Sequence, residues 1–169
     1  PTIHGDDRGY FVETFRQDLF EEAIGCKVNF IQDNESKSTK GVLRGLHYQL
    51  PPYTQAKLVR VIEGSVLDVA VDIRKSSSTF GQHVSVELTA QNKHQLFVPH
   101  GFAHGFIVLS DSATFAYKVD NYYAPEHDRG IAFNDAQLKI DWQLSAEELQ
   151  LSDKDKTHPS LVNAKDLFE

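Results

Sequence analysis

Apolar and polar residues alternate most regularly over Val66-Leu-Asp-Val-Ala-Val-Asp-Ile-Arg74, where Leu67, Val69, Val71 and Ile73 share one face and Asp68 and Asp72 the other. That is the period of a β-strand, and two acids on one face are more than a strand packed only on a core would carry. The alternatives are a wet face or one that lines a polar cavity. The run before it, Lys57-Leu-Val-Arg-Val-Ile62, has the same strand character, and the Gly-containing Glu63-Gly-Ser65 between them predicts a hairpin. Residues 83–88, 95–98, 105–109 and 114–119 add four strands at the spacing of an all-β barrel or sandwich. Helices are peripheral: residues 17–24 read as an amphipathic helix stopped by Gly25, and Ser145-Ala-Glu-Glu148 is a capping-box start for a second, short one.

With no repeat, low-complexity tract or linker, 169 residues that are 40% hydrophobic and include eleven Phe predict one domain, 1–169, around a real core. Cys26 is the single cysteine, so an intrachain disulfide framework is excluded. No apolar stretch approaches the roughly 18 residues of a membrane span, and the polar start lacks the basic and apolar blocks of a signal peptide. The cytoplasm is the expected location. Acidic residues outnumber basic ones 24 to 17, a formal charge of -7 that opposes nonspecific binding to nucleic acid or an anionic membrane. An anionic ligand would need a local basic pocket.

The most informative run for chemistry is Val42-Leu-Arg-Gly-Leu-His-Tyr-Gln49, followed by Lys57. His47 offers a proton acceptor, Arg44 a guanidinium and Lys57 an ammonium. A base beside fixed cations suits removal of a proton from carbon with negative charge building on a nearby oxygen. Asp68 and Asp72 are candidate carboxylates, with a hydrogen-bonded strand face as the plainer alternative. Ser152-Asp-Lys-Asp155 is itself a capping-box pattern, so the local reading of Asp155 is a cap. Tyr117 lies between Phe115 and Val119 on the apolar side of its strand, so its hydroxyl needs a partner in the core or faces a cavity; a structural tyrosine is the alternative. The eight histidines are scattered without a metalloprotease spacing.

The runs Asp7-Arg-Gly9, Phe30-Ile-Gln-Asp-Asn34, Leu43-Arg-Gly-Leu-His47, Lys57-Leu-Val-Arg60, Asp68-Val-Ala-Val-Asp-Ile-Arg74 and Pro99-His-Gly-Phe-Ala-His-Gly-Phe106 together resemble the dTDP-4-dehydrorhamnose 3,5-epimerase family. Asn121-Tyr-Tyr-Ala-Pro125 and Asn134-Asp135 continue the resemblance nearly end to end. It implies a cupin-type jelly-roll β-barrel, a homodimer, and cofactor-free epimerisation at C3 and C5 of a dTDP-linked 4-keto-6-deoxyhexose. Pro99-x-Gly101-x-x-His104 is similar to the second cupin motif, yet the paired histidines of the first appear as His47-Tyr-Gln49. Zinc or iron sites usually need three or more protein ligands, so a metal-free barrel is expected.

Residue by residue, the resemblance implies that His47 is the general base, and that Asp155 is the carboxylate that orients it, displacing the local cap reading. Tyr117 is implied as the acid on the opposite face and Lys57 as the lysine near the ketone oxygen. Arg8, Glu13, Gln32, Asn34, Arg44, His104 and Lys154 are implied to hold the diphosphate and nucleotide, some of them from the partner subunit, and Tyr123 to stack on thymine. Asp128 stands where members usually carry Glu, shortening a nucleotide contact by one methylene, with Glu126 nearby. Members usually have a further strand segment upstream of Asp7-Arg-Gly9, which bears on the expected dimer arm. The competing readings are a monofunctional 3- or 5-epimerase of another dTDP-deoxysugar pathway, a catalytically silent nucleotide-sugar-binding cupin, and a metal-dependent cupin.

Overall fold

The computed structural model describes all 169 residues, Pro1–Glu169. Its elements run β1 (Ile3–Asp6), β2 (Gly9–Val12), α1 (Gln17–Ile24), β3 (Gln32–Thr39), β4 (Leu43–Gln49), β5 (Lys57–Glu63), β6 (Ser65–Asp72), β7 (His83–Thr89), β8 (Gln95–Val98), β9 (Phe102–Val108), β10 (Ser112–Val119) and β11 (Asp128–Gly130). β1 and β2 form a hairpin of their own; the rest make two antiparallel sheets, ordered β3-β10-β5-β8 and β11-β4-β9-β6-β7. Facing each other across an apolar interior of Val59, Val61, Val66, Leu88, Phe106, Val108 and Phe115, the sheets build the jelly-roll barrel that the resemblance implied. No helix is long and apolar enough to cross a membrane.

The helix and the strand at 95–98 have the bounds expected of them. Gly25 ends α1 in the left-handed conformation, φ 71°, and its N–H donates to the Glu21 carbonyl at 2.9 Å. The expected hairpin across Glu63-Gly-Ser65 does not form: β5 pairs with β10 and β8, whereas β6 pairs with β7 and β9. Those three residues carry the chain from one sheet to the other. Gly64 makes the corner at φ 79°, where a Cβ would lie 2.1 Å from the Ser112 carbonyl oxygen. Two good strands joined by a short Gly turn look alike in sequence whether they pair or change sheet.

Both faces of β6 are buried, by different partners. Leu67, Val69, Val71 and Ile73 pack under the segment after β11, whose Ile131, Leu138, Trp142 and Leu161 close a second core with Leu43, Leu46 and Tyr48 of β4. Asp135 holds that segment in place: Oδ1 accepts from the Gln137 and Leu138 N–H groups and Oδ2 from Leu161 N–H at 2.6 Å. The segment then runs beside the start of β4, with Leu43 N–H donating to the Gln150 carbonyl at 3.0 Å. It thereby delivers residues 150–158 to the barrel.

The opposite face of β6 carries Asp68 and Asp72, both almost fully buried. Asp72 is a structural anion: its carboxylate accepts from Arg74 Nε at 2.9 Å and Nη2 at 2.7 Å, and from the Ser77 and Thr79 hydroxyls at 2.6 Å each. The Arg74 guanidinium, with the two hydroxyls, outweighs burial and holds this carboxyl well below the ordinary carboxylate range. Its folded pKa is thus depressed below the unfolded value of about 3.9, so its stabilisation is present above that pH and is lost as pH falls through and below it. Asp72→Asn should cost about 2 kcal/mol at pH 7, and the deficit relative to wild type should shrink toward pH 3 in urea unfolding. An equal deficit at both pH values would show that the charge is not the source.

Candidate active site

His47 and Arg44 are three positions apart, which in a regular strand puts them on opposite faces. Both line one cavity of about 500 Å³, together with Lys57, His104, Phe115, Tyr117, Ser152 and Asp155 among others. The pairing of β4 with β9 slips between Arg44 and His47, and this extra residue brings both side chains inward. Gly45, at φ 135°, makes the slip possible: a Cβ there would lie 2.5 Å from Gly105 Cα and 2.9 Å from the His104 carbonyl oxygen. The reverse holds at Gly105, whose Cβ would meet the Arg44 carbonyl oxygen at 2.7 Å. The two glycines let adjacent backbones approach where a base must be aimed.

Behind His47 stands Asp155, on the segment that follows Gln150. Its Oδ1 is 2.5 Å from His47 Nε2; the imidazole is 30% exposed and the carboxyl 4%. Burial pushes the Asp155 carboxyl up, but the imidazoles of His158 and His47 and the Ser152 hydroxyl outweigh it and hold the group below the ordinary carboxylate range. An ionised carboxylate only accepts, so His47 Nε2–H donates to it and Nδ1 keeps the lone pair. The cap reading of Asp155 holds as well: Ser152 Oγ donates to Oδ2 at 2.7 Å, and Asp155 N–H donates back to Ser152 Oγ at 3.2 Å. One oxygen serves the turn and the other the imidazole.

Lys57 and Tyr117 reach the cavity from the facing sheet, on β5 and β10. Burial pushes the Lys57 ammonium down, with Asp128 and Asp68 opposing through space. Burial also pushes the Tyr117 phenol up, against the nearby Arg44 charge, so it carries its proton at neutral pH. His104 is buried, and its Nε2 contacts both oxygens of Asp68, at 2.8 and 3.0 Å. This pairing accounts for the buried acid on β6. Arg44 reaches Ser38 Oγ at 3.2 Å.

An adjoining cavity of about 400 Å³ shares His47, Lys57 and Tyr117 and is lined further by Gln32, Asn34, Tyr123, Asp128 and Lys154. Gln32 Nε2 donates to Asn34 Oδ1 at 2.7 Å. Asp128 is ion-paired with Lys154 and accepts the Tyr123 hydroxyl at 3.0 Å; Glu126 plays no part in that triad. Two expected residues are elsewhere in this chain. Arg8 lies on the turn between β1 and β2, 90% exposed and paired with Asp6, and exposed Glu13 stands near Arg16. Neither lines the two cavities.

His158 escaped the sequence reading. It lies in Thr157-His-Pro-Ser160, which matches no motif, yet its Nε2 stands 3.6 Å from Asp155 Oδ1. Its ring meets that of His47 edge-on, with centroids 5.5 Å apart. Room for it comes from Gly130, the β11 partner of His47, where a Cβ would lie 2.4 Å from His158 Nε2.

Comparison with known proteins bears on the same site. A family model described as dTDP-4-dehydrorhamnose 3,5-epimerase matches residues 1–163. The dTDP-4-dehydrorhamnose 3,5-epimerase of Shigella flexneri is 58% identical over 164 residues, covering 97% of this chain and 90% of that protein. The dTDP-6-deoxy-D-glucose-3,5-epimerase of Legionella pneumophila, solved in complex with dTDP-4-keto-L-rhamnose, superposes with a TM-score of 0.95 at 53% identity, covering 100% of this chain and 90% of that one. A 3'-monoepimerase from Streptomyces bikiniensis in complex with dTDP-quinovose superposes with a TM-score of 0.90 at 36% identity, covering 98% of this chain and 83% of that one.

Proposed function

The chain belongs to the dTDP-4-dehydrorhamnose 3,5-epimerase family, and from that premise we propose that it converts dTDP-4-dehydro-6-deoxyglucose to dTDP-4-dehydro-L-rhamnose by inverting C3 and C5. The observation that carries this reading is the hydrogen-bonded His47–Asp155 pair facing Lys57 and Tyr117 across one cavity. His47 Nδ1 takes the proton from a carbon beside the C4 ketone, and Asp155 stabilises the imidazolium so formed. The electrons move to the ketone oxygen as an enolate, which the Lys57 ammonium stabilises by several kcal/mol in a water-poor cavity. Tyr117, on the facing sheet, returns a proton to the opposite face of the planar enolate, and inversion results. Exchange with solvent then takes the proton from His47 and returns one to Tyr117, and the second carbon repeats the cycle. No cofactor enters this sequence.

Arg44 and Lys154 are cations suited to the diphosphate, and they meet the need for a local basic pocket in an acidic chain. The adjoining cavity, with Gln32, Asn34 and the exposed Tyr123 ring, suits the thymidine. Arg8 and Glu13 would then come from the partner of a homodimer, a role supported by the arm β1–β2 with its exposed Tyr10 and Phe11. The reading carries a cytoplasmic location.

Incubation with dTDP-4-dehydro-6-deoxyglucose in deuterated water should place deuterium at both C3 and C5 of the inverted product, counted by NMR and mass spectrometry. Deuterium at one carbon alone would mean a monofunctional epimerase, and none would mean a silent binder. In the same assay Tyr117→Phe should slow net inversion about 10- to 100-fold more than solvent exchange, because it removes proton return and spares proton removal. If exchange and inversion fell together, Tyr117 would be a binding residue.

A further inference from the structure

His158 Nε2 is buried in a side chain only 10% exposed, and it has no hydrogen-bond partner. Leaving such a nitrogen unsatisfied is costly, so its placement against a carboxylate and a second imidazole calls for an account. One ring nitrogen each of His47 and His158 and one carboxylate oxygen of Asp155 lie within 4.8 Å of one another, and from each ring it is Nε2 that approaches Asp155 Oδ1. Two neutral imidazoles and a carboxylate are the donor set of zinc sites that keep a fourth position open. Ligand atoms around tetrahedral zinc stand about 3.3–3.5 Å apart. The His158–Asp155 separation, 3.6 Å, already matches; the His47–Asp155 separation, 2.5 Å, would open by about 1 Å.

We infer that His47, Asp155 and His158 form an inhibitory zinc site behind the base. The second imidazole that His47-Tyr-Gln49 lacks is supplied by His158 of the C-terminal segment. The consequence for the base follows from proton counting. In the metal-free site the single proton of neutral His47 is on Nε2 and the lone pair on Nδ1. Zinc on Nε2 requires that proton to move to Nδ1, so no net proton is released by the ring and no acceptor is left on it. His158 likewise binds through Nε2 and keeps its proton on Nδ1. The bound metal therefore silences His47 through the ring nitrogen that faces Asp155. The inhibition, though not the binding, rests on the proposed epimerase reading.

The test is calorimetric titration of the intact protein with zinc chloride in a non-chelating buffer, beside His158→Gln and the bulk-conserving His158→Phe. Wild type should bind one zinc per chain, and each variant should bind at least about 10- to 100-fold more weakly. Titration of wild type should also shift the ¹⁵N signals of both His47 and His158. No zinc bound to wild type, or equal binding by the folded variants, would overturn the site, the latter showing adventitious binding to other histidines. In the deuterium assay zinc should suppress wild-type exchange, with reversal by EDTA. The variants, each measured against its own zinc-free rate, should need at least about tenfold more zinc. Zinc held by these three residues in a chain inactive on the dTDP-sugar would support the site while overturning the epimerase reading.

Discussion

His47→Asn should lower both epimerisation and solvent exchange by about 10² to 10⁴-fold, the usual contribution of a positioned general base. Asparagine fills much of the imidazole's space and can still donate to the Asp155 oxygen that now lies 2.5 Å from Nε2, so the buried carboxylate keeps a partner and the fold is spared. What it lacks is a nitrogen lone pair of suitable basicity: an amide cannot accept a proton from carbon at neutral pH. The loss should appear in kcat with little change in KM, because the diphosphate and thymidine are proposed to be held by other residues. Unfolding by urea should give a midpoint close to wild type, which separates chemical from structural loss. Exchange at C3 or C5 that survived in His47→Asn at more than a few per cent would place the base elsewhere, and Tyr117 would then be the group to test.

The strand framework was legible in the chain because apolar alternation marks it directly: β6, β7 and β10 lie where Leu67, Val84 and Phe115 predict. β1, β2, β11 and β4, the strand that carries His47, were not predicted, and neither was β3, since Gln32-Asp-Asn-Glu-Ser-Lys-Ser-Thr39 is wholly polar. Its ladder to β10 supplies the strand, and its alternating exposure shows that one face turns to the cavity and the other to water. The pairing of β5 and β6 was misread because a corner between sheets and a hairpin need the same glycine. At the site, family motifs pointed to Asp155 where the local pattern pointed to a cap, and the carboxylate does both. Arg44 beside His47 depended on a strand slip that no periodicity reveals. His158 left no trace in the sequence beyond its spacing of three from Asp155, because a lone histidine before a proline carries no pattern; only the bare Cα of Gly130 makes its position possible.

Asp155→Asn should reduce exchange and inversion by about 10² to 10³-fold, whereas Asp155→Ala should be the milder lesion. The difference follows from the direction of one hydrogen bond. Asp155 accepts from Nε2–H and leaves Nδ1 as the base; an asparagine amide that turns its N–H toward Nε2 asks that nitrogen to accept, and the ring proton moves to Nδ1. The base is then present and correctly placed but in the wrong tautomer. Alanine removes the orienting contact without imposing the wrong one, so the ring samples both tautomers and retains part of its activity. Stability should rank the other way. Asparagine keeps an oxygen for the Ser152 hydroxyl, 2.7 Å from Oδ2 in the wild-type turn, and alanine loses it, at about 1 kcal/mol. The two variants thus cross, the more stable one being the less active. Should Asp155→Ala prove both the less stable and the less active, Asp155 would act chiefly by holding the segment that closes the cavity, and the tautomer of His47 would be set by something else.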